Sequence, residues 1–142
     1  MRAVLDVNVL IWAVIAPRGA PRDLLFLWQA QRFTLLTSDG LIAEVAAKLR
    51  QPHIRRAYHV ADEDIWWVAR LLRTYAELVV VTPQSLLPVT GDAEDDYVLA
   101  TAYEGQAEYL VTGDRHLLGR RLYRWIQIVS PHEFLGLIHQ VK

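Results

Sequence analysis

"AVLDVNVLI", residues 3–11, sets one carboxylate and one amide inside an apolar run. Ala3 to Leu5 read as a buried strand. Asp6 and then Asn8 break the run where that strand should end. In an open parallel sheet, ligands bind beyond the carboxyl ends of the strands, close to where strand order reverses. Asp6 stands at such an end. A local reading is equally open at this point, because an Asp after a strand commonly caps a helix or makes a turn.

Working outward, "APRGAP" (16–21) is a turn, "RDLLFLWQAQ" (22–31) a helix and "FTLLTS" (33–38) a second strand. Ser38 or Asp39 caps a helix through "GLIAEVAAKLR", which Pro52 ends. "ADEDIWWVARLLRTYAE" (61–77) is a helix with acidic residues in its first turn, as the helix dipole favours. "LVVVT" (78–82) is a third strand and "PQSLLPVTG" (83–91) a loop. "DAEDDYVLATAYEG" (92–105) is a further helix with an acidic start, followed by strands at "YLVTG" (109–113) and "IQIVS" (126–130). Ser130 or Pro131 opens a terminal helix. Strands alternating with helices predict an α/β fold: a five-stranded parallel sheet with helices on both faces, formed by one domain over residues 1–142.

Composition narrows the function. The 142 residues are 53% hydrophobic and 22% charged, with a net charge of -1, so no overall basic field advertises nucleic acid. There is no cysteine, which excludes disulfides and thiolate metal sites and leaves hard oxygen ligands open. The apolar start is interrupted too early for a signal peptide, and no stretch reaches the roughly 20 apolar residues of a membrane span. A soluble, cytoplasmic protein is expected.

The acidic residues fall at telling places. Asp6 follows the first strand and Asp114 the fourth, in "VTGD". Asp92, Asp95 and Asp96 head the helix before that strand. Glu44 lies beside the apolar stripe Leu41, Ile42, Val45 and Leu49, bordering the core at ~100° per residue. Singly, each has a plain explanation: turn chemistry for Asp114, a dipole-matched start for 92–96, a surface position for Glu44, local caps for Asn8 and Thr112. Together, acidic groups at several strand ends repel unless protonated or neutralised by a cation. Oxygen-only ligands suit Mg²⁺ or Mn²⁺.

At this point the chain resembles the PIN-domain ribonucleases, and within them the VapC-like toxins of bacterial toxin–antitoxin modules. "VLDVNVLI" resembles the family's opening, a strand followed by Asp, any residue, then Thr, Ser or Asn. "LIAEVAAKL" resembles its second motif, with Glu44 in the ligand place. "DAEDDYVLATA" resembles the third, in which Asp96 fits best because Leu99–Ala100 follow at the right distance; Asp92 is an assistant one turn earlier, and Asp95 points about 100° away. "YLVTGDRHLL" resembles the fourth.

The resemblance implies a strand order with the fourth strand beside the first. It implies metal-dependent hydrolysis of RNA, with Asp6, Glu44, Asp96 and Asp114 as catalytic metal ligands for Mg²⁺ or Mn²⁺ and Asn8 and Thr112 as supporting polar groups. It also implies an antitoxin partner. No histidine is needed, and His53, His59, His116, His132 and His139 lack metal-like spacing. For RNA the basic candidates are Arg50, Arg55, Arg56, Arg115, Arg120, Arg121 and Arg124, the alternative being a solvated face. On the helix from 61, Trp67 and Leu71 lie opposite the main stripe. That helix is either buried on both faces or an interface, for a homodimer or a docked antitoxin helix. Two other classes compete. A phosphoacceptor domain would need a lysine near the last strands, and Lys48 and Lys142 are not so placed. A catalytically inactive PIN-like module binding RNA or protein would not need the acidic set.

Overall fold

A computed structural model describes residues 1–141; Lys142 lies outside the described residues. The chain runs β1 (Arg2–Leu5), α1 (Val7–Ile15), α2 (Ala20–Gln29), β2 (Thr34–Thr37), α3 (Asp39–Leu49), α4 (Pro52–Tyr58), α5 (Asp62–Tyr75) and β3 (Glu77–Leu78). It continues with α6 (Ala93–Glu104), β4 (Tyr109–Val111), α7 (Arg115–Arg120), β5 (Leu122–Tyr123), β6 (Ile126–Val129) and α8 (Pro131–Gln140). The strands form one sheet of six in the order β3-β2-β1-β4-β6-β5. All neighbours are parallel except β5, which returns antiparallel on β6. With helices on both faces this is a three-layer α/β/α arrangement. The expected parallel strands are all present, and the short β5 is the addition.

The sheet centre is fully apolar because strands covered on both faces have no wet side. Ala3, Val4 and Leu5 of β1, Leu35 and Leu36 of β2, and Leu110 and Val111 of β4 are all buried. Helix α6 lies against β1, β2 and β4, whereas α1 packs on α2 and α3, and α3 on α5. Strand order grows outward from β1 to β3 in one direction and from β4 to β5 in the other. The reversal therefore lies between β1 and β4, whose register pairs Leu5 with Val111. A crevice opens beyond the carboxyl ends of two such strands.

Three differences from the sequence reading have physical causes. Residues 7–15 form a helix capped by Asp6, where a run apolar in all but Asn8 hid any helical stripe. Pro52 ends α3 as expected but also starts α4, since proline at the first helical position costs no hydrogen bond. The strand expected over 78–82 pairs only at Glu77–Leu78, with Val79 N–H donating to the Thr37 carbonyl at 2.7 Å. Beyond that point β2 has already turned into α3, so Val80 has no partner strand and is 76% exposed.

Candidate active site

The crevice is built from the ends of β1 and β4. The Asp6 N–H donates to the Val111 carbonyl at 2.9 Å, fixing the residue at the strand end. Its Oδ1 accepts from Val7 N–H at 2.8 Å and caps α1. Its Oδ2 accepts from the Thr112 hydroxyl at 2.7 Å. Thr112 is fully buried, and its oxygen in turn accepts from Asp114 N–H at 3.0 Å. One hydroxyl thus joins the two strand ends. Asp114 caps α7 by accepting through Oδ1 from His116 and Leu117 N–H, at 2.7 and 3.3 Å. Capping and membership of an acidic centre coexist in both residues, because a carboxylate has two oxygens and the cap engages one.

Electrostatics shows which acids share the centre. Burial pushes the Asp6 carboxyl up, and the Asp114 charge adds to that against the hydrogen bonds from Thr112 and Val7. Glu44, half-buried on α3, is pushed up to about 7 by burial first, then by the neighbouring Glu94, with Asp6 contributing. Asp95 is pushed up to about 6 by burial and then by the charges of Asp114, Asp92 and Asp6. Asp92 accepts from Asp95 N–H at 3.1 Å and caps α6. Thr90, Asp92, Asp95, Asp114, His116 and Arg120 border a hollow of about 400 Å³.

Asp96, expected in this centre, faces elsewhere. Its Oδ1 accepts from Thr90 N–H at 2.8 Å, the Thr90 hydroxyl at 2.8 Å and Val89 N–H at 3.2 Å. Burial alone would raise it, but these bonds and Arg120 outweigh burial and hold it below the usual carboxylate range. Asp96 anchors the loop before α6, and Arg120 holds the same loop by donating to the Val89 carbonyl at 2.9 Å. Asp95, unlike Asp96, borders the hollow together with Asp114. Sequence reasoning also passed over Glu94 and Lys48, which flank Glu44.

The described residues hold no group of three or more His, Cys, Asp or Glu side chains arranged as a finished ion cage. The chemistry of the donor set nonetheless fits a hard divalent cation. Carboxylates stand at the end of β1, on α3, on α6 and in the turn after β4, and in three of them burial and neighbouring negative charge favour the protonated form, a penalty that a cation relieves. Asp6, Glu44, Asp95 and Asp114 are the residues that would hold it, with Asp92 at the rim.

The PIN domain family model matches residues 2–116. The chain belongs to the PIN domain family. An uncharacterized protein of Methanocaldococcus jannaschii is 28% identical over 122 residues, which cover 85% of this chain and 76% of that protein. The VapBC2 complex of Rickettsia felis, solved on a DNA fragment from its promoter, contains a chain that superposes with a TM-score of 0.62 at 16% identity. That match covers 92% of this chain and 98% of the other. FitAcB of Neisseria gonorrhoeae superposes with a TM-score of 0.50 at 17% identity, again over 92% and 98%. At these identities the superpositions speak for the fold. PIN domains are in general nucleases.

In this PIN domain the remaining candidates scatter. Asn8 is exposed in the first turn of α1, beside Asp6. Arg55 pairs with Asp62 at 3.0 Å and donates to the Val60 carbonyl, so it is tied into the α4–α5 junction. Arg50 borders a hollow between α3 and α5 with Trp66 and Arg73. Arg56 and Arg115 are exposed, Arg121 ends α7 with φ 60°, and Arg124 lies over Tyr103 and Tyr123. Of these arginines, Arg120 borders the acidic hollow. Trp67 is 47% exposed and lines a groove with Ile15, Phe26 and Tyr58, whereas Leu71 is partly buried against the core. Among the described residues no helix is long and apolar enough to cross a membrane.

Proposed function

We propose that this PIN domain is a divalent-metal-dependent endoribonuclease that hydrolyses RNA phosphodiester bonds, the toxin of a type II toxin–antitoxin module. The observation that carries the reading is the Thr112 hydroxyl joining Asp6 to Asp114 at the strand-order reversal, where the Asp6 charge is felt at both Asp95 and Glu44. A bound Mg²⁺ or Mn²⁺ would supply an activated water and neutralise charge on the attacked phosphate. The chain's own contribution is positioning. Thr112 and the two helix caps fix Asp6 and Asp114 on rigid strand ends. Glu44 and Asp95 complete the set from two separate helices. Asn8 is placed to hydrogen-bond substrate at the rim, and Arg120 offers a cation to the RNA backbone in the hollow.

The neighbouring VapBC2 fold supports a toxin role and hence an antitoxin partner. We assign the antitoxin helix to the groove under Trp67, where Phe26 and Tyr58 present further aromatic surface. The chain acts in the cytoplasm as one domain, as a homodimer when free of antitoxin, which sedimentation would read as twice the chain mass. The nuclease reading is tested by incubating purified chain with a single-stranded RNA. Cleavage is expected with Mn²⁺, none with EDTA, and none after Asp114→Asn. Undiminished cleavage in EDTA contradicts it. RNA retention without any cleavage would instead favour an inactive binding module.

A further inference from the structure

One basic side chain stands within the acidic centre. Lys48 lies one helical turn after Glu44 on α3, and its ammonium is 3.6 Å from Glu94 Oε2. Glu94 belongs to the first turn of α6, so the pair bridges two helices that each carry a carboxylate of the centre. Glu94 neighbours Glu44 and favours its protonated form, whereas the Lys48 charge favours the ionised form of Glu44 and of Asp6. The Lys48 side chain is only 28% exposed, so its stem is held between the helices. Its partner Glu94 is 63% exposed, against 82% and 86% for the acids of the pairs Arg73–Asp39 and Arg55–Asp62, the ordinary surface kind that contributes little. Lys48 differs because, beyond its pair with Glu94, its charge also reaches Glu44 and Asp6.

We propose that Lys48 is the resident counter-ion of the carboxylate centre, offsetting part of its charge whenever no divalent cation is present. The inference rests on the metal-centre reading above. It has two consequences of opposite sign. Without metal, loss of the ammonium leaves Glu44, Glu94 and Asp6 facing one another. With metal, the ammonium is a like charge beside a dication and weakens its binding. Lys48→Met removes the charge, keeps the stem and hardly changes helix propensity; Lys48→Arg keeps the charge. Glu94→Gln separates this role from that of a simple ion pair. A simple pair would lose stability equally from either side, whereas a crowded acidic centre is relieved by losing an acid.

The experiment is thermal denaturation of the full chain in EDTA at pH 8, with Mn²⁺ affinity measured by calorimetry. Lys48→Met is expected to melt about 3 °C below wild type in EDTA and to bind Mn²⁺ about tenfold more tightly. Lys48→Arg should match wild type in both, and Glu94→Gln should melt at or above wild type. The proposal is overturned if Lys48→Met melts like wild type, if it binds Mn²⁺ no more tightly than a binding wild type, or if Glu94→Gln loses as much as Lys48→Met. A wild type that takes up no Mn²⁺, with Lys48→Met still destabilised and Glu94→Gln not, overturns the metal-centre reading and leaves the counter-ion role standing.

Discussion

Asp95 and Asp96 are neighbours with opposed roles. The ~100° between consecutive helical residues guarantees that only one of them can face the strand ends. It does not say which. An apolar stripe would have fixed the phase of α6, but Val98, Leu99, Ala100, Thr101 and Ala102 are buried in unbroken succession, so no single stripe marks its inner face. The motif spacing pointed to Asp96, and the loop bonds from Thr90 and Val89 claim that carboxylate instead. Asp6 and Asp114 were legible because strand ends are legible. Glu94 and Lys48 were not, since nothing in sequence brings the first turn of α6 to the last turn of α3. Asp95→Asn should therefore lower metal-dependent cleavage on the order of 100-fold. Asp96→Asn should instead cost about 1–2 kcal/mol of stability and leave cleavage within about tenfold. Paired cleavage and urea-denaturation measurements check this, and the reverse pattern would contradict the assignment.

Helices and strands were legible in proportion to their periodicity. The helix over 61–77 shows a clean stripe, and the structure bears it out with Ile65, Val68 and Leu72 buried. "VNVLIWAVI" is apolar almost throughout, so α1 was invisible although its capping Asp was singled out. The valines after Leu78 have strand propensity but no strand to pair with, and tertiary context overrides propensity there. The clean stripe of α5 also isolates Trp67 on the far side, over the groove with Phe26 and Tyr58. Truncating an exposed tryptophan removes little from the core but much from an aromatic contact surface. Trp67→Ala should leave the chain's own stability within about 0.5 kcal/mol, while weakening antitoxin binding by about 2 kcal/mol or more. Calorimetric titration with the antitoxin decides it; unchanged affinity would remove Trp67 from the interface.

At the scale of the whole molecule, the fold sets acids together that would rather be apart. Glu44, Asp95 and Asp6 hold protons more tightly folded than unfolded. Their contribution to stability is fully present below the ordinary carboxylate pKa near 4, and is lost as pH rises through about 6 for Asp95 and about 7 for Glu44. Asp96 and Glu77, both held below the usual range, act in the opposite sense and lose their contribution as pH falls below that range. Metal-free protein should thus be most stable near pH 5 and weaken steadily toward pH 8 in urea denaturation. A flat or rising curve over that interval would contradict the clustering of the carboxylates. Divalent cation should abolish the slope, since it replaces the protons. The fold and the two strand-end acids carry the central claim, that this cluster is a metal-binding nuclease centre. The most direct test is thermal denaturation of wild type and Asp6→Asn, each in EDTA and in Mn²⁺. Asn caps a helix as well as Asp, so the variant should keep α1. In EDTA it should match wild type or gain up to about 1 kcal/mol from the charge removed. Mn²⁺ at about 100 times its dissociation constant should stabilise wild type by about 2.7 kcal/mol and the variant far less. A variant that responds to Mn²⁺ as wild type does, or a wild type that does not respond, would contradict the account.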